Sequence, residues 1–352
     1  MSASAQTPAW NLYPTSGTTL TLGYAAMAPN VPARINILLT GGTSNVPVAT
    51  IMDTGSTGIV VGSAHFQPTP GQQSFGTGTT TYSSSGLSYT GTYYDTDVKI
   101  YDQAGTTHVA TSSVRVLYVA DPSEANFSYM GVGFNRKDSA GNPEPVKANP
   151  FLNLTWVSTG AVADLKKGYI VQNDQVILGL TSGATQDFAF VKLVKNSIDW
   201  NATSMTLSAG SFFTGNGTIL QDAGINYMFL TPPTADTGLR TGFDVPAGTR
   251  IRIWMPGQNG EGAFYEFDAR TIPHKTCTTS VGVSPCEVQV LPAGAIFVNT
   301  GREFFAGFDY LYDYENGYVG YLWTGPTVGT ATGSSTSGVA LTGSVDLAHQ
   351  FA

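Results

Sequence analysis

Charge is scarce in this chain of 352 residues. Lys, Arg, Asp and Glu make up 11% of it, 16 basic against 24 acidic side chains, for a formal net charge of −8. Globular domains usually carry about a quarter of their residues as charges. Without a basic patch to meet phosphates, nucleic-acid binding is excluded. Cysteine is scarcer still, with Cys277 and Cys286 the only two. Their spacing suits a bridge across a hairpin tip, which implies an oxidising compartment; the alternative is two unrelated buried thiols. No apolar run approaches about 18 residues, so no membrane span is expected. Helical periodicity is nearly absent, with Ala161 to Lys167 the best short candidate. The four histidines, His65, His108, His274 and His349, are scattered without paired metal-ligand spacing. No Gly-x-Ser-x-Gly elbow occurs, neither cysteine has a nearby His to activate it, and no glycine-rich phosphate loop joins a strand to a helix. No cofactor and no metal are implied.

The N-terminus, MSASAQTPAW, has neither a positive region nor an apolar core, so it does not read as a signal peptide. Ala3-Ser4-Ala5 reads as the small-residue remnant of a cleavage site behind an added Met. The expectation is an exported protein in its mature form, secreted or held in the periplasm or at the cell surface.

What fills the gap left by charge is glycine (41), Ser, Thr and tyrosine (17), the composition of a turn-rich β protein. Strand signals run throughout: TLTLGYAA, ARINILLT, TYYDTDVKIYD, SVRVLYVA, YIVQNDQVILGL, FAFVKLV, TRIRIWM and EVQVLP. Each alternates or stays apolar over a short run and ends in Gly, Pro, Asn or Asp. The length suits two domains, and many short strands mean a sandwich or barrel class. From Thr324 the chain becomes low in complexity and reads as a loose tail.

One pattern occurs twice. VATIMDTGSTGIVV in the first half is matched by GTILQDAGINYMFL in the second. Both read apolar strand, Asp, small residue, Gly, second apolar run, so Asp53 and Asp222 hold matching positions. A carboxylate between two buried strands is costly unless something holds it. It is either a structural turn or half of an active site. Asp236-Thr237-Gly238 spells the first motif better than Asp222-Ala223-Gly224 does, but Pro232-Pro233-Thr234-Ala235 precedes it and no buried strand can run through that. Asp236 therefore reads as a loop residue. Two Asp carboxyls about 3 Å apart share one proton; the ionised partner can take a proton from water while the protonated one donates to a carbonyl. Glycine in each loop permits close backbone approach.

On these segments the sequence resembles the pepsin-like aspartic peptidases. Asp53-Thr54-Gly55-Ser56 matches the family's first catalytic motif letter for letter. FSYMGVGF, from Phe127, resembles the segment that threads beneath the first catalytic loop, QVILGL the strand opening the second lobe, and GREFFAGFDYLYDYENGYVGYL the closing segment. The resemblance implies an all-β bilobal fold with a cleft between the lobes. It divides the chain into an N-terminal extension (1–16), a first lobe with Asp53 (17–165), a second with Asp222 (166–323) and the tail (324–352). It implies catalysis by Asp53 and Asp222, with Gly55, Ser56, Tyr82, Gly224 and Ile225 around the peptide, and Tyr82, or its competitor Tyr89, closing over it. The chain departs from the family at Ala223 and Ile225, where Thr or Ser usually stands, and at Val60, where the flap tyrosine's Trp partner usually stands. Together with absent family disulfides, these departures point to a bacterial branch. The function expected is an exported aspartic endopeptidase acting on peptide or protein substrates, as a monomer. The alternative is a catalytically silent protein of the same fold that binds proteins or peptides.

Overall fold

A computed structural model describes residues 12–28, 31–41, 45–82, 86–135, 145–197, 199–256, 262–278 and 282–325. The cleavage-site remnant at Ala3 to Ala5 and most of the low-complexity tail lie outside them. The described chain is built of strands in three sheets. A nine-stranded sheet belongs to the first half and a seven-stranded sheet to the second. A six-stranded sheet draws strands from both ends of the chain, in the order Leu20–Gly23, Gln175–Leu178, Gly168–Val171, Phe308–Asp313, Tyr318–Trp323, Ala189–Lys192. The structure is thus bilobal and nearly all β.

The strands form where alternation predicts them. In Val31–Leu39 the buried apolar set is Ala33, Ile35, Ile37 and Leu39, at period two. Thr57–Gly62, by contrast, is buried on both faces from Gly58 on, because it lies mid-sheet between His108–Val119 and Ser128–Val132. Each fully buried Ile, Val, Leu or Met side chain contributes about 1.5–3 kcal/mol. YIVQNDQVILGL is two strands rather than one, Gly168–Val171 turning back on Gln175–Leu178. The helix expected over Ala161 to Lys167 is a single 3-10 turn at Val162–Asp164. Leu165 is already extended (φ −91, ψ 112), and Gly168 begins a strand of the six-stranded sheet. Sheet pairing overrides the weak local helix preference there.

Each lobe repeats one crossing that positions the loops of interest. Val48–Asp53 runs parallel to Ser128–Val132, while Thr57–Gly62 runs antiparallel to that same strand. The strand at Ser128 therefore threads between the two arms of the Asp53 loop. In the second lobe Phe213–Leu220 runs parallel to Phe297–Asn299, and Met228–Thr231 runs antiparallel to it. Gly131 must be glycine at this crossing, since a Cβ would lie 2.6 Å from the Ser56 carbonyl carbon and the Thr57 nitrogen. Gly301, at φ 66, sits in the matching place against the Tyr227 carbonyl.

Candidate active site

Asp53 ends the strand Val48–Asp53, and Asp222 lies two residues past Phe213–Leu220. Both side chains are buried, each at 4% exposure. The two carboxyls face one another closely enough for the Asp222 charge to act on Asp53. The glycines of the motif explain how. A Cβ on Gly55 would fall 2.4 Å from the Asp222 carboxyl carbon, and one on Gly224 would fall 2.7 Å from Asp53 Oδ1. Each loop's glycine thus makes room for the other loop's carboxylate. Asp236, the better-spelled decoy, sits in an exposed turn where its carboxyl accepts from the Gly238 amide.

The hydrogen bonds around the pair are nearly symmetric. The Gly55 N–H donates to Asp53 Oδ1 at 2.7 Å, and the Gly224 N–H to Asp222 Oδ1 at 2.8 Å. The Ser56 hydroxyl donates to Asp53 Oδ2 at 2.5 Å. Ile225, three residues after Asp222 as Ser56 is after Asp53, has no donor to offer. Asp222 Oδ2 instead accepts from Asn299 Nδ2 at 2.6 Å. Asn299 did not stand among the candidates read from the sequence. No local signal in FVNT marks it, because its link to Asp222 comes from the crossing of strands.

Thr54 ties the loops together alone. Its hydroxyl donates to the Gln221 carbonyl at 2.7 Å and accepts from the Ala223 N–H at 2.9 Å. Ala223 has no hydroxyl to return the tie. Burial, and then the neighbouring Asp222 charge, push the Asp53 carboxyl well above the usual carboxylate range, outweighing the Ser56 hydroxyl and the Gly55 amide. A pair in this state keeps one proton at pH values where an isolated carboxylic acid has lost its own.

Gly55, Ser56, Gly224 and Ile225 are half-buried and surround the two buried carboxyls. Tyr82 ends the strand Ser74–Tyr82, which pairs with Leu87–Tyr101 as a hairpin in the register Gly78 to Gly91 and Tyr82 to Leu87. Its ring is buried in an aromatic cluster, 4.9 Å from Tyr129 and 6.0 Å from Tyr89, with Val60 in the same cluster. Burial and then the charge of Asp53 raise the Tyr82 phenol. Tyr89 stacks on Phe127 at 3.8 Å, and Phe127 in turn on Tyr129 at 5.0 Å. Cys277 and Cys286 form a disulfide, Cα to Cα 6.2 Å. A cavity of about 620 Å³ beside Tyr24, Asp174, Arg302 and Glu303 takes none of its lining from the two Asp loops.

No protein-family model matches the chain, and no curated protein matches it in sequence. Comparison of structures gives a different result. The crystal structure of an aspartic proteinase from Irpex lacteus superposes with a TM-score of 0.52 over 87% of this chain and 98% of that one, at 16% identity. The fold is that of the pepsin-like aspartic proteinases. At such low identity the likeness speaks for the pepsin-like fold alone, and the chemistry has to be argued from the side chains. Among the described residues of this pepsin-like chain, no helix is long and apolar enough to cross a membrane.

Proposed function

We propose that the chain is an exported aspartic endopeptidase of two lobes dividing near residue 165. The observation that carries this reading is the close facing of Asp53 and Asp222, with the glycine of each loop leaving room for the other loop's carboxyl. They are two buried carboxyls from matching loops, one raised well above its ordinary range, each held by a backbone N–H and one side-chain donor. A turn that served structure alone would gain nothing from pressing two carboxyls together in a buried place.

The reaction follows from that geometry. The ionised member of the pair takes a proton from a water molecule, whose oxygen attacks the carbonyl carbon of the peptide. The protonated member donates its proton to the carbonyl oxygen, giving a neutral tetrahedral diol. Collapse of the diol returns a proton to the pair, transfers one to the amide nitrogen and breaks the C–N bond. No group on the enzyme forms a covalent bond to substrate. Ser56 supports Asp53, while Gly55, Gly224 and Ile225 offer backbone to an extended peptide, with Tyr82 above it. The disulfide Cys277–Cys286 accords with an oxidising compartment.

Peptide cleavage between about pH 3 and 7, read by mass spectrometry beside an Asp53→Asn control, tests the reading. Cleavage that disappears in the control supports it. Folded protein that cleaves nothing throughout the range overturns it, leaving the same surface to binding without hydrolysis.

A further inference from the structure

Resting on the peptidase reading, we infer that Asn299 is the positioning residue of Asp222. It does for the second lobe what the Ser56 hydroxyl does for the first, and it directs the shared proton to Asp53.

Sequence spacing does not provide this partner; the crossing of strands does. By register Asn299 faces both Leu220 and Phe229, one on each arm of the Asp222 loop. Its counterpart in the first lobe is Tyr129, which faces Val60 and Ile51 on the two arms of the Asp53 loop. The two lobes thus use the same place differently. Tyr129 fills it with an aromatic ring, while Asn299 puts a short amide under the carboxylate of its own lobe. Asn299 is 5% exposed, so the bond to Asp222 is shielded from water. The orientation of the amide is settled by its other end: the Gly301 N–H donates to Asn299 Oδ1 at 3.1 Å, so the NH₂ group must face Asp222 Oδ2.

An amide NH₂ can only donate, whereas a hydroxyl can donate or accept. Both oxygens of Asp222 therefore face obligate donors, Gly224 N–H on one and Asn299 on the other. Asp53 has one obligate donor, and Ser56 can reverse its hydroxyl to accept from a protonated Asp53. The arrangement suits Asp222 as the member that takes the proton from water and Asp53 as the member that gives one to the carbonyl oxygen. The raised Asp53 carboxyl agrees with this division. Besides Asp53, Tyr129 and Tyr227 feel the Asp222 charge. Burial pushes both phenols up to about 12, so they stay neutral in the acid range.

The test compares wild type, Asn299→Leu and the double variant Asn299→Leu with Ile225→Thr, the last restoring a hydroxyl three residues after Asp222. In Asn299→Leu, kcat on a peptide cleaved by wild type is expected to fall about 10- to 100-fold, the worth of a hydrogen bond to a charged group, with KM within about twofold. Ile225→Thr should recover most of that loss. A readout independent of turnover is carboxyl ¹³C NMR on Asp-labelled protein, in which the titration of the pair should move about one pH unit upward in Asn299→Leu. Should the leucine variant not fold, Asn299→Ser, too short to reach Asp222, carries the same comparison. Unchanged kcat and unchanged titration overturn the role of Asn299 while leaving the peptidase reading in place. So does a loss of kcat in folded protein that Ile225→Thr fails to recover. If wild type cleaves no peptide, the peptidase reading falls, and the NMR titration still decides whether Asn299 governs the pair.

Discussion

Replacing Thr54 with valine keeps the outline of the side chain and removes one hydroxyl. That hydroxyl makes two buried hydrogen bonds across the lobes, to the Gln221 carbonyl and from the Ala223 N–H. Gln221 is 3% exposed and Ala223 4%, so neither backbone group can turn to water instead. Leaving a buried polar group without its partner costs about 1–3 kcal/mol, and two such groups give about 2–6 kcal/mol. Because Ala223 returns no hydroxyl, nothing else at that point shares the load. For a cooperative unit of this size, the loss corresponds to a fall of about 3 to 10 °C in unfolding midpoint. Thermal and urea unfolding followed by tryptophan fluorescence would read it, with Thr54→Ser as the control that keeps the hydroxyl. A Thr54→Val protein within about 0.5 kcal/mol of wild type, or a Thr54→Ser protein as weak as the valine variant, would refute the reasoning.

Glu303 is 5% exposed, and burial pushes its carboxyl up to about 7 despite Arg302 and Arg270 nearby. The folded state then binds more protons than the unfolded state between its ordinary 4.5 and about 7, so stability falls as pH rises through that window, by about 3 kcal/mol. Urea unfolding at the two ends of the window should show that slope in wild type and a flatter one in Glu303→Gln; equal slopes contradict the assignment. A methyl group at Gly55 would meet the Asp222 carboxyl carbon at 2.4 Å. Gly55→Ala should therefore displace the pair and lower kcat/KM by at least about 100-fold, and near-normal activity would show the loops are not packed as described.

The first carboxylate could be read from the sequence because its chemistry is local. Asp53, Gly55 and Ser56 lie within four residues, and their hydrogen bonds join neighbours in the chain. Asp222 was legible only through repetition of the strand–Asp–Gly–strand pattern, which also kept Asp236 out of the pair. Asn299 was not legible, because its bond to Asp222 spans 77 residues and depends on how a three-residue strand threads a loop. The same holds for Leu20–Gly23, whose partner is the distant strand Gln175–Leu178. Alternation identifies such a strand but not what it pairs with. The helix expected at Ala161 failed for the opposite reason: its local signal was real but weak, and the strand starting at Gly168 prevailed. Among 17 tyrosines, no local pattern singles out Tyr82; its place beside Tyr129 comes from the hairpin register.

The central claim is that Asp53 and Asp222 act as one unit and Asp236 takes no part. Peptide cleavage by Asp53→Asn, Asp222→Asn and Asp236→Asn, assayed side by side with wild type under identical conditions, tests it most directly. The account predicts that both substitutions in the pair abolish cleavage in folded protein and that Asp236→Asn cleaves as wild type does. Cleavage that survives Asp222→Asn, or is lost with Asp236→Asn, would contradict it.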